Sequence, residues 1–198
     1  MLSNQEQLDK ALRLLGGHLE LRKGAPLSLV ICGGAALLAR RILQRATQDV
    51  DVLALLDEEG CLVSPVPLPE DLVHAASLVA RMLDLPPDWL NNEPSRGENG
   101  LFQMGLPDGI ERRMIRRDYG KLLHVFFVER LDLIHFKLFA AAMAGGRHTD
   151  DLLALNPREE ELEQAARWVL AHATPTGLPD ALKGLLRNLG YEGIAERI

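Results

Sequence analysis

The sequence predicts an α/β (α+β) fold: a mixed β-sheet core flanked by helices, followed by a helical C-terminal part. Three observations predict it. Residues 27–56, LSLVICGGAALLARRILQRATQDVDVLALL, read as strand, glycine turn, helix and strand in succession. Residues 101–128 are cut by turn residues into strand-length pieces. From Asp132 onward the pattern is helical. The expected division is an α/β core over 1–131 and a helical part over 132–198, packed together as one compact unit. A chain of 198 residues is long enough for one well-buried core and short for two.

Leu8, Leu12 and Leu15 recur at spacings of four and three, which predicts a helix over 4–16 that stops at Gly16-Gly17. LSLVIC, 27–32, is too short and too β-branched for a helix and reads as a buried strand. Ala35 to Arg45 is rich in the good helix formers Ala, Leu and Arg, and ends before Thr47. DVDVLALL, 49–56, is the next strand, closed by Asp57-Glu58-Glu59-Gly60. A helix over about 69–84 opens at Pro69-Glu70-Asp71 and stops at Pro86-Pro87.

Asn91 to Gly100 collects Asn, Pro, Ser and Gly and reads as a loop. LFQMGL, IERRMIRRDY and LLHVFFV, separated by turns at Pro107-Asp108-Gly109 and Gly120, predict a β-meander. One helix then runs to about Ala144, a second from the Gly145-Gly146 break to about 155. A third starts near Pro157 and a fourth near Pro179.

Hydrophobic residues make up 47% and charged residues 25%, ordinary globular usage that argues against disorder. No apolar run is long enough for a membrane span, and the polar, amphipathic N-terminus lacks the pattern of a signal peptide. The expected location is therefore cytoplasmic, and Cys32 and Cys61 read as reduced thiols. The net charge of −6 makes an extended nucleic-acid surface unexpected, because such surfaces neutralise phosphates with Lys and Arg. A small anion in a local basic site remains compatible with it.

In a strand, residues i and i+2 share a face, so Asp49 and Asp51 present two carboxylates side by side. An Asp-x-Asp pair also suits a solvated strand face. The glycines favour the ligand reading: Gly33-Gly34 joins a strand to a helix N-terminus, where free N–H groups and a missing Cβ suit phosphate. A hard cation such as Mg²⁺, or Mn²⁺, takes one or two carboxylates together with phosphate oxygens and waters. Arg45 and Thr47 lie between the two motifs. A nucleoside triphosphate (NTP) with its metal needs both halves.

GGAALLARRILQRATQDVDV resembles the signature of the nucleotidyltransferase superfamily: Gly-Gly or Gly-Ser, a helix, then Arg-x-Thr-x-Asp-apolar-Asp. Three further segments are similar to the bacterial nucleotidyltransferase-like proteins grouped with DUF6036 and the AbiEii toxins: LPPDWLNNEP (85–94), DLIHFKLFAA (132–141) and GRHTDDLLALNP (146–157). The resemblance spans about 27–157. It implies a nucleotidyltransferase-type sheet and transfer of a nucleoside monophosphate from an NTP to an acceptor hydroxyl on RNA, protein or a small molecule. It also implies the toxin-like half of a two-protein module, with a cognate protein partner. The alternative is a catalytically silent relative acting as a regulatory or antitoxin-like partner.

Under this resemblance Asp49 and Asp51 hold the metal, Gly33, Gly34, Arg45 and Thr47 border the phosphates, and Lys137 meets the β- and γ-oxygens. Spacing alone would let Lys137 exit to the surface from its apolar helix. Arg147 is a further expected phosphate-binding residue, and Arg147 and Asp151, four apart, are placed to pair on one helix face. Asp151 is the expected third acid, as ligand or general base, with Asp150, Glu111 and Glu129 as competitors. His124, His135 and His148 have no metal-ligand spacing and read as structural. Arg112, Arg113, Arg116 and Arg117 fall on both faces of a hairpin and read as mostly solvated.

Overall fold

The computed structural model describes residues 1–43, 45–172 and 176–198. Helix α1 (Gln5–Leu21) starts where the Asn4 side chain accepts from Gln7 N, and buries Leu8, Leu12, Leu15 and Leu19. It runs past the expected stop at Gly16-Gly17. Gly16 serves close packing instead: a Cβ there would run into the Tyr119 carbonyl.

Strand β1 (Leu27–Cys32), helix α2 (Gly33–Ala39) and strand β2 (Val50–Leu56) form the strand, helix, strand unit. Helix α2 begins earlier than expected and is shorter than 35–45. Arg41 takes a left-handed conformation (φ 59°), and Ile42 N donates to Leu37 O at 3.0 Å, closing the helix. Residue 44, inside the expected helix, lies outside the described residues. Strand β3 (Leu62–Val63), α3 (Glu70–Leu83), β4 (Leu90–Asn91) and a 3₁₀ turn (Glu93–Ser95) follow.

The expected β-meander is realised only in its last two pieces. Residues Leu101–Met104 and Ile110–Arg113 are single helical turns, α4 and α5, and only β5 (Ile115–Asp118) and β6 (Leu123–Phe127) pair as strands. Met104 N closes the first of these turns on Gly100 O at 2.9 Å. The left-handed Gly105 and Gly109 (φ 99° and 72°) then separate the two turns.

The sheet order is β3-β2-β1-β6-β5, with β4 also pairing β2, at Val50 and Asp51. Strand β1 runs antiparallel to β2 and parallel to β6. Between β1 and β2 the register slips after Val30: Val30 faces Ala54, but Ile31 faces Val52, which leaves Leu53 as an extra residue. Beyond this bulge Asp51 stands opposite Cys32, the residue before the Gly33-Gly34 turn.

Among the described residues five helices follow: α6 (Arg130–Ala144), α7 (Arg147–Ala154), α8 (Glu159–His172), α9 (Leu178–Asn188) and α10 (Glu192–Arg197), the last not expected. Helix α6 is capped by Glu129, which accepts from Leu131 N, and packs against α2, α7, α8 and α9. One continuous apolar cluster reaches from Leu2 on the N-terminal side to Ala195 in α10. Among the described residues no helix is long and apolar enough to cross a membrane.

Candidate functional site

The bulge and the glycine turn bring the two sequence motifs into contact. Gly33 is left-handed (φ 65°), and a Cβ on it would collide with Asp51 Oδ2. A Cβ on Gly34 would collide with Thr47 Oγ1. The glycines thus let the Asp51 and Thr47 side chains lie directly on the start of α2. Asp49 sits just before β2 rather than within it. Thr47 Oγ1 donates toward both the Asp49 carbonyl and Asp49 Oδ1 at 3.3 Å. The Thr47 backbone is bridged to Leu2 by two 2.9 Å bonds. Thr47 is therefore buried and engaged in orienting Asp49.

Asp51 is half-buried, and burial together with the adjacent Asp49 charge pushes its carboxyl up to about 7. Lys137, Arg147 and a hydrogen bond from Asn91 oppose that rise. Two carboxylates at close quarters, only partly compensated, form a site that favours a cation. Cys32 is fully enclosed beside them, and burial plus the Asp51 charge push its thiol up, so it stays protonated.

Lys137 points inward, not to the surface, and is only 7% exposed. Its Nζ lies 2.8 Å from Asp151 Oδ2, which is buried and accepts no hydrogen bond, so the contact is an ion pair off the hydrogen-bond direction. The other oxygen, Oδ1, accepts from Arg45 Nη2 at 2.5 Å and Arg45 Nε at 3.2 Å. Asp151 thus joins α6, α7 and the segment before β2. The expected Arg147–Asp151 pair does not form: Asp151 turns toward Lys137 and Arg45, while Arg147 is exposed and acts electrostatically on Asp51.

Asp151 is buried and Asp150 exposed. Among the described residues no three of His, Cys, Asp and Glu are grouped to hold a metal, and the Asp151 carboxylate is engaged by Lys137 and Arg45. The competitors are occupied elsewhere. Glu129 caps α6 and pairs with Arg40 at 2.6 Å, and Glu111 lies at the surface 3.6 Å from Arg112.

Of the four arginines at 112, 113, 116 and 117, Arg112 and Arg116 are exposed as expected, whereas Arg113 and Arg117 are half-buried. Arg113 grips the buried Asp132 carboxylate at 2.7 and 3.0 Å, and Arg117 donates to Ala39 O at 2.7 Å while lying over the Phe127 ring. His135 hydrogen-bonds Leu131 O and packs edge-on to Trp168, a structural role. His124 contacts Asp118 at 2.7 Å on the far hairpin. His148, which the sequence presents as structural, is placed differently. It lies in the field of Lys137, Arg147, Asp151 and Arg45. The three-residue spacing from His148 to Asp151 puts both on one helix face and was the available signal.

A cavity of about 610 Å³ lies apart from this cluster, between the start of α1 and the end of α2, lined by Asn4, Gln5, Asp9, Arg13 and Arg41 among others. None of the clustered acids or Lys137 lines it. Convergent charge defines the candidate site. No protein-family model, curated protein or solved structure matches the chain.

Proposed function

We propose that this chain is a metal-dependent nucleotidyltransferase that moves a nucleoside monophosphate from an NTP to an acceptor hydroxyl, as the toxin-like half of a two-protein module. The observation that carries the reading is Asp51 lying against Gly33 with the Asp49 charge beside it, and with Lys137 and Arg147 acting on Asp51 from the other side of the charge balance. Asp49 and Asp51 would hold Mg²⁺ or Mn²⁺. An all-oxygen pair without further protein ligands suits an ion that keeps waters and phosphate oxygens in its shell. When bound, the ion would neutralise phosphoryl charge and polarise the phosphorus.

The chain's own residues supply the rest. The missing side chains at Gly33 and Gly34 let Asp51 and Thr47 lie against the start of α2, where backbone N–H groups suit phosphate. Lys137 and Arg147 attract the triphosphate, and Asp151 orients Lys137 and Arg45 between turnovers. In the transfer the acceptor oxygen bonds to the α-phosphorus and the bond to the bridging oxygen breaks. Pyrophosphate leaves with the electron pair, and the hydroxyl proton passes to water.

A second reading is a catalytically silent protein of this fold, acting as a regulatory or antitoxin-like binding partner. It is favoured by the absence of a third acid beside the pair among the described residues and by the engagement of Lys137 with Asp151. Incubation with each labelled NTP, Mg²⁺ and a mixture of RNA and protein separates the two. Label transfer that is lost in Asp51→Asn supports the enzyme; nucleotide binding without transfer to any acceptor supports the silent protein.

A further inference from the structure

Two polar atoms of the candidate site are buried without a hydrogen-bond partner, and both belong to α7: Asp151 Oδ2 and His148 Nδ1. Asp151 is accounted for by its charge contacts. His148 is not. Its half-buried ring is faced by Lys137 from α6, by Arg147 and Asp151 from α7, and by Arg45 from the segment before β2. Lys137 and Arg147 are also the two cations that act on Asp51. The imidazole therefore shares two of its cationic neighbours with the acidic pair.

The surroundings select a tautomer. A buried Nδ1 with no acceptor beside it is a poor place for a proton, and nearby cations favour a lone pair there. Burial, Lys137 and Arg147 hold the imidazole below its ordinary pKa against the opposing pull of Asp151, so the ring stays uncharged. The single proton then sits on Nε2. A polyphosphate oxygen only accepts hydrogen bonds, and it is the ligand group that a ring of cations would draw to this position.

We propose that His148 is a ligand-binding residue of this site, donating Nε2–H to an oxygen of a polyphosphate held by Lys137 and Arg147. The proposal rests on the nucleotide reading and adds to it a donor that brings no further charge. It also explains why a histidine, rather than another Lys or Arg, stands among cations that already repel one another.

The test uses Mg-tripolyphosphate, which has neither base nor ribose, and Mg-ATP, each titrated calorimetrically into the full chain. His148→Gln places an amide N–H near the imidazole Nε2, whereas His148→Asn places its amide near Nδ1. His148→Ala and His148→Asn should weaken both ligands by about tenfold or more, and His148→Gln should stay within about threefold of the wild type. Melting curves on all three establish that each is folded. Equal losses in all three variants, or no loss in His148→Ala, overturn the proposal while leaving the nucleotide reading intact. Binding of Mg-ATP without Mg-tripolyphosphate overturns the phosphate contact alone. A wild type that binds neither ligand overturns both.

Discussion

Replacing Asp51 by Asn should stabilise the metal-free protein above neutral pH, although it alters a residue at the centre of the candidate site. The folded-state carboxyl is raised to about 7 from 3.8, by burial first and by the Asp49 charge second. Below about pH 4 this group is protonated in both folded and unfolded chains and contributes nothing. Between about pH 4 and 7 only the unfolded chain releases the proton, so stability falls as pH rises; above 7 the penalty is constant. At about 1.4 kcal/mol per pKa unit the ceiling is about 4 kcal/mol, and solvent contact of the half-buried side chain reduces it to about 1–3 kcal/mol. Urea denaturation in EDTA at pH 4.5 and pH 8 measures it directly. The wild type and Asp51→Asn should nearly coincide at pH 4.5, with the variant more stable by about 1–3 kcal/mol at pH 8. A variant less stable than the wild type at pH 8 would show that the carboxylate is a structural partner and refute the reasoning.

Three further outcomes are expected. Lys137→Met, which keeps a good helix former, should lower NTP affinity by about tenfold or more while leaving nucleoside affinity unchanged; calorimetric titration of both ligands decides it, and equal losses contradict the contact. Gly33→Ala should cost about 2–4 kcal/mol through its left-handed backbone and the collision with Asp51, whereas Gly17→Ala, on the open face of α1 with nothing within 4 Å, should gain up to about 1 kcal/mol. Thermal melts of the two variants should move in opposite directions. Glu161, whose carboxyl the Arg130 guanidinium, helped by the Arg158 backbone and side chain, holds down at about 2, contributes stability that is full above about pH 4.5 and lost as pH falls through about 2. Glu161→Gln should therefore cost about 1–3 kcal/mol at pH 7 and progressively less toward pH 2.5, read by urea denaturation across that range.

What the sequence made legible is local. Strand β1 over Leu27–Cys32 and the break at Gly145-Gly146 follow from an apolar run and from glycines whose meaning does not depend on distant partners. The mixed sheet and the helical C-terminal part follow from the order of such segments. Gly16 misled because a glycine required by close packing on Tyr119 looks the same in sequence as one that ends a helix. Residues 101–113 misled because turn residues punctuate single helical turns as readily as strands, and only a pairing partner distinguishes them.

At the candidate site the types of residue were legible and their partners were not. The glycine pair and Asp-x-Asp were read as adjacent, but the bulge at Leu53 that sets Asp51 beside Gly33 depends on the register of two strands. Asp151 was singled out, yet its contacts with Lys137 and Arg45 cross three elements, and spacing along one helix suggested Arg147 instead. Metal-ligand spacing is no guide to His148, whose surroundings are Lys137, Arg147, Arg45 and Asp151.

The central claim is that Asp49 and Asp51 bind a divalent ion together with an NTP. The most direct measurement is the melting temperature of the wild type and of the Asp49→Asn, Asp51→Asn double variant, with each NTP in the presence and absence of millimolar Mg²⁺. A ligand at about a hundred times its dissociation constant stabilises the folded state by about 2.7 kcal/mol, a rise of about 5–10 °C for a chain of this size. The account predicts that rise for the wild type only when NTP and Mg²⁺ are both present, and its loss in a double variant that still folds. An equal rise in the double variant, or none in the wild type with any NTP, would contradict it.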